Sequence, residues 1–98
     1  MKNINLNDFG PIISTKESGD KILKLITEGL KINNQISVDL ASIRSMATFC
    51  AKQIFGRLYV SLGAEKFFES IEIVNASDDL KSIIKIGIQS AIQEGENN

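Results

Sequence analysis

Apolar and polar positions alternate from Asn3 to Phe9, where Ile4 and Leu6, with Asp8, lie opposite Asn3, Asn5 and Asn7. A period of two belongs to a strand, so this segment is predicted as a half-exposed edge strand. Gly10-Pro11 signals a turn, and Ile12-Ile13 is expected to return as a short second strand. Ser14-Thr15-Lys16-Glu17 then matches a capping box, in which Ser14 and Glu17 each satisfy one orphan N–H of a helix start. From there the period lengthens. Ile22, Leu23, Ile26 and Leu30 make a core-facing stripe, Lys21, Lys24, Glu28 and Lys31 lie away from it, and Asn33-Asn34 ends the helix.

Gln35 to Ala41 returns to strand spacing, with Ile36, Val38 and Leu40 on one face. Ser37, Asp39 and Ala41 share the other and are small enough to sit under a helix. Ala51, Ile54, Phe55, Leu58 and Leu62 mark a second helix, and Gly63 stands where a C′ residue belongs. Phe67 and Phe68 fall in a short turn or broken helix, and Ser70 to Val74 reads as a strand with Ile71 and Ile73 inward. Ser77-Asp78-Asp79 opens a last helix, Ser77 as N-cap and the carboxylates at the positive end of its dipole. Leu80, Ile83, Ile84, Gly87, Ile88 and Ala91 form its buried face, and residues 94–98 a polar tail expected to fray. The order β, β, α, β, α, β, α predicts one small α/β domain with a mainly parallel four-stranded sheet packed by helices.

The strand at Gln35 to Ala41 and the second helix are joined by a stretch rich in small hydroxyl residues, Ser42, Ser45 and Thr48. A helix start directs free backbone N–H groups and a positive dipole end at whatever lies there. Ser45 is the better N-cap by position, Ser42 a turn residue, and Thr48 an N-cap or first-turn residue. Any of the three hydroxyls is chemically able to accept a phosphate, which would add about −1.5 to −2 charge at that point. Arg44 lies inside the same loop as a solvated charge or an interface anchor. Asp39, near a strand end, is read as an acceptor for backbone N–H groups of the following turn; no neighbouring acid completes a metal site. Cys50 stands at a helix start that would stabilise a thiolate, yet a single Cys is more often a small core hydrophobe.

Composition narrows the functional classes. The chain has 98 residues, 43% apolar and 23% charged, with a net charge of −1, which is a globular composition. Its eleven Lys and Arg are scattered, so no electrostatic footprint for nucleic acid is expected. Met1 to Gly10 lacks the apolar core of a signal peptide, and no apolar run reaches the roughly 20 residues of a bilayer span; a cytoplasmic protein without membrane contact is expected. There is no His, the commonest general acid–base and metal ligand, and no Gly-rich phosphate loop. Catalysis is disfavoured on those grounds, and no cofactor is implied.

Several short pieces occur in a particular order: Val38-Asp39-Leu40 followed by Ile43, Thr48-Phe49-Cys50-Ala51, Ile54-Phe55-Gly56-Arg57-Leu58, and Ile71-Glu72-Ile73-Val74-Asn75. Taken with the element order, they resemble the STAS fold of anti-sigma factor antagonists, and more closely the bacterial STAS-like domains of unknown function. The resemblance runs from about Ile4 to Ile92. In anti-sigma factor antagonists, Asp-Leu, a hydrophobic residue and then Asp-Ser-Ser-Gly precede the second helix, and a serine there is phosphorylated by a partner kinase. Aligned from Asp39-Leu40 without gaps, that region falls on Ala47-Thr48-Phe49-Cys50. Thr48 keeps a hydroxyl, whereas Ala47 replaces the Asp and Phe49-Cys50 the Ser-Gly.

The resemblance implies a non-enzymatic regulatory domain that binds another protein, of the class of histidine-kinase-like ATPases or other regulators. Its expected contact surface is the loop Ser42 to Thr48 with Arg44, and the exposed helix face around Lys52 and Arg57. Thr48, Ser45 and Ser42 are the candidate switch hydroxyls. Two other classes compete with this reading: a small anion- or nucleotide-binding domain using the helix end, and a structural or assembly subunit pairing through the Asn3–Phe9 edge. A monomer or weak homodimer is expected.

Overall fold

The computed structural model describes residues 2–96. Three strands, β1 (Lys2–Asn5), β3 (Ile36–Asp39) and β5 (Ile71–Val74), form a parallel sheet in the order β1-β3-β5. The register aligns Ile4 with Val38 and Val38 with Ile73. Each crossover moves one strand further in the same direction. With right-handed connections, such one-way winding puts every crossover helix on the same face of the sheet.

Burial follows from that winding. Ile4, Ile36, Val38 and Ile71 are buried on the helix side, where a Cβ added to Gly29 of α1 (Lys16–Ile32) would lie 3.5 Å from both Ile36 and Ile4. The opposite face carries Asn3, Asn5 and Glu72 in the open, with Ser37 enclosed between its register neighbours Asn3 and Glu72. The sequence pattern places Ser37, Asp39 and Ala41 under a helix; among the described residues no helix covers that side.

The expected four-stranded sheet is likewise corrected. The other two strands, β2 (Ile12–Ile13) and β4 (Ser45–Met46), pair with each other in a separate parallel ladder. A turn at Gly10-Pro11 diverts the chain, and the Pro11 carbonyl accepts from the Arg44 N–H at 2.7 Å. Ile13 and Met46 enter the core while Ile12 and Ser45 stay exposed. The first strand is also shorter than the alternation of Asn3–Phe9 implies, since Asn7–Phe9 closes into a 3₁₀ turn. An Asn5 side chain receiving the Asn7 N–H accompanies that bend.

α1 is capped by Thr15, whose hydroxyl accepts from the Ser18 N–H at 3.1 Å, and not by Ser14 as a capping box requires. Its Ile22 and Ile26 are fully buried. A continuous helix covers residues 48–62, built from α2 (Thr48–Ala51), a π-helical turn (Lys52–Gly56) and α3 (Arg57–Leu62). The stripe Ala51, Ile54, Phe55 and Leu58 is buried as its spacing predicts. Gly63 ends the helix at φ +87°, a conformation favouring glycine, with its N–H on the Tyr59 carbonyl.

Phe67 and Phe68 lie in a short regular helix, α4 (Ala64–Ser70), so Ser70 closes a helix where the pattern has it opening a strand. α5 (Asp78–Glu96) starts at Ser77, whose Oγ accepts the Leu80 N–H at 3.1 Å. Leu80, Ile84 and Gly87 face inward. α5 runs against the π turn through small residues: a Cβ on Gly87 would meet Lys52 and Ala51, and one on Gly56 would meet Ala91. No helix among the described residues is long and apolar enough to cross a membrane.

Candidate interaction surface

The hydroxyl-rich stretch does not form one polar mouth. Ser45 lies in β4, paired with Ile12, and is not a helix cap. The N-cap position belongs to Ala47, which has no side chain able to satisfy the helix N–H groups. Thr48 is the first residue of the helix and is exposed. Ser42 sits in the turn after β3, and its Oγ is buried without a hydrogen-bond partner. A kinase has no access to that oxygen in the folded chain. Arg44 is exposed and anchored through its backbone N–H to Pro11.

Asp39 holds two loops together at the C-terminal end of the sheet. Its Oδ1 accepts from the Ala41 N–H at 2.9 Å and from the Asn75 amide at 3.0 Å. Asn75 takes a left-handed conformation, φ 59°, which Asn tolerates better than most residues. The Asn75 amide and then the Ala41 N–H pull the Asp39 carboxyl below its ordinary range, against a smaller opposing effect of burial. Open α/β sheets bind ligands in the crevice beyond this end. Here the same place is packed with Leu6, Leu40 and Ile43, all buried.

Cys50 is buried in the core, its thiol donating to the Thr15 carbonyl at 3.4 Å, and burial pushes its pKa up. That environment opposes the thiolate a reactive cysteine needs. The reading of Cys50 as a core hydrophobe agrees with this placement.

Lys52 and Arg57 are brought together. They line a groove of about 410 Å³ between the 48–62 helix and the last turns of α5, with Phe49 and Val60 on the helix side and Ala91 and Glu94 opposite. Phe49 and Val60 are each 53% exposed although both are large and apolar. Lys52 forms an ion pair with Glu94 across the groove. A solvated pair of this kind contributes about 0–1 kcal/mol, so it opens readily for a competing partner. Arg44 is not part of this lining.

Sequence spacing shows Lys52 and Arg57 as off-stripe charges but treats Phe49 only as part of a family-like motif. The available signal is that Phe49 and Val60 fall outside the core stripe and lie eleven residues, about three turns, apart. A larger cavity of about 1030 Å³, lined by Asn33, Gln35, Gly63 and Glu65 among others, opens at the N-terminal end of the sheet and holds none of the candidate residues.

Among known proteins, the family described as a STAS-like domain of unknown function (DUF4325) matches residues 18–81. No curated protein and no solved structure matches the chain.

Proposed function

The chain belongs to the family of STAS-like domains of unknown function, and from that premise we propose that it is a non-enzymatic regulatory domain that docks a protein partner in the groove between the 48–62 helix and the end of α5. The observation carrying this reading is the exposure of Phe49 and Val60, each 53%, beside Arg57. Aromatic side chains and Arg concentrate at the centres of protein interfaces, because each buries much area while keeping a polar or quadrupolar contact. The groove stands on two packed helices, so docking meets a preorganised surface and little ordering entropy opposes it. Lys52 and Glu94 form a polar rim that exchanges its internal pair for contacts to the partner. A histidine-kinase-like ATPase or another regulator is the partner class that the family resemblance favours.

Docking at this groove needs no phosphate. Thr48, one turn before Lys52, is exposed at the groove's helix start and would tune affinity through its size and polarity.

The test is recovery of partners from native lysate on wild-type, Val60→Asp and Arg57→Glu baits, with melting temperatures measured in parallel. Both side chains are exposed, so the variants are expected to fold as the wild type does. A partner held by the wild type and lost by both variants supports the groove as the docking site. Recovery unchanged in both variants overturns it.

A further inference from the structure

A second apolar groove, of about 430 Å³, lies on the other flank of α3. One wall is Tyr59, Phe67, Phe68 and Ile73; the other is Ile84, Ile88 and Ile92 of α5. Tyr59, Phe67 and Phe68 pack edge to face on one another at 5.4–6.1 Å, an arrangement aromatic pairs favour. Phe68 is nevertheless 71% exposed. The polar groups lining this groove are Lys81, Lys85 and Gln89 of α5 besides the Tyr59 hydroxyl; no acidic side chain lines it.

Lys81 and Lys85 stand one helical turn apart as a like-charged pair, an arrangement that destabilises a helix unless a counter-charge approaches. Among the described residues neither makes an ion pair, although Asp78 lies three positions before Lys81. From Lys81 to Ile92 the α5 wall spans about 16 Å, or three helical turns. An elongated apolar trough of that length with one cationic rim has a definite complement.

We propose that this groove binds an amphipathic helix of about three turns from a partner protein, its apolar stripe seated against Phe68 and Ile84 and its acidic residues, one turn apart, on Lys81 and Lys85. The site shares no lining residue with the groove at Phe49 and Val60.

Two synthetic helical peptides sharing one leucine stripe, flanked by Glu in one and by Lys in the other, are titrated into isotope-labelled protein and followed by amide chemical shifts. The acidic peptide is expected to shift the amides of Phe68, Ile84 and Ile88 saturably and to bind more tightly than the basic one. Lys81→Glu with Lys85→Glu is expected to weaken the acidic peptide about tenfold and to reverse the preference. Phe68→Ser, at an exposed position, is expected to weaken both peptides while leaving the amide spectrum otherwise folded. Equal binding of the two peptides, no saturable shift, or shifts centred on Phe49 and Val60 each overturn the proposal. Self-association of the protein through Phe68 without peptide, seen as concentration-dependent shifts at the same amides, assigns the groove to a second copy and overturns it as well.

Discussion

Replacing Gly87 by Ala tests the packing on which both grooves depend. The added Cβ would lie 2.6 Å from the Lys52 backbone nitrogen, 2.7 Å from the Ala51 carbonyl carbon and 2.8 Å from the Ala51 Cβ. Two of these atoms are backbone, in or next to the π turn, and no rotamer change moves them. Reaching an ordinary contact of about 3.4 Å requires α5 and the 48–62 helix to part by about 0.8 Å. Overpacking of this kind costs about 1–3 kcal/mol, against a gain of about 1 kcal/mol from replacing Gly by Ala inside a helix. The net expectation is a loss of about 0–2 kcal/mol, or a fall in melting temperature of up to roughly 15 °C for a domain this small. Gly29→Ala is the matched control, since its Cβ would meet Ile36 and Ile4 at an ordinary 3.5 Å. That variant keeps the propensity gain without the clash and is expected to stabilise by about 0.5–1 kcal/mol. Urea unfolding followed by circular dichroism, with thermal melts, gives both values. If Gly87→Ala gains as much stability as Gly29→Ala, the close approach of α5 to the π turn is wrong.

Caps give a second comparison: Thr15→Ala and Ser77→Ala are each expected to lose about 1 kcal/mol, and Thr48→Ala less than about 0.5 kcal/mol, by the same urea assay. A loss at Thr48 matching that at Thr15 would show that Thr48 caps the helix after all. Thr48→Glu places a carboxylate in the first turn and is expected to gain a few tenths of a kcal/mol, falling with added salt. Asp39 has a native pKa below its ordinary value, so its contribution to stability is present above the ordinary value and lost as pH falls through the native one. The difference in urea midpoint between wild type and Asp39→Asn should therefore hold steady from pH 7 to about 4 and shrink below that; a difference that grows on acidification contradicts the assignment. Cys50, buried with a raised pKa, is expected to resist a thiol reagent at pH 8 in the native protein and to react fully in denaturant. Rapid native labelling would contradict its place in the core.

Local features were legible because their physics is local. The stripes of α1, of the 48–62 helix and of α5 follow from one-sided burial at helical period, and Ile22, Ile26, Ile54, Phe55, Leu80 and Ile84 are buried as that period requires. Ser77 was readable as a cap because two acids follow it directly. Ser14 and Thr15 are adjacent hydroxyls that local spacing does not separate, and in the fold Thr15 takes the extended cap conformation and accepts the Ser18 N–H. Ser45 was misplaced for a different reason: its pairing partner, Ile12, is 33 positions away in sequence, and local spacing carries no trace of such a ladder.

The candidate surface divides along the same line. Lys52 and Arg57 were visible as charges off the core stripe, whereas the groove they line needs Ala91 and Glu94 as its second wall. Likewise the bare sheet face at Asn3, Asn5 and Glu72 follows from the strand order β1-β3-β5 and a single crossover hand, not from any property of those residues. The sequence by itself determined the three long helices, the strands at Ile36–Asp39 and Ile71–Val74, the buried stripes and the family, because period and order are carried by neighbouring residues. Only the tertiary structure decided which exposed side chains share a groove, because that depends on how helices distant in sequence approach, here through Gly56 and Gly87.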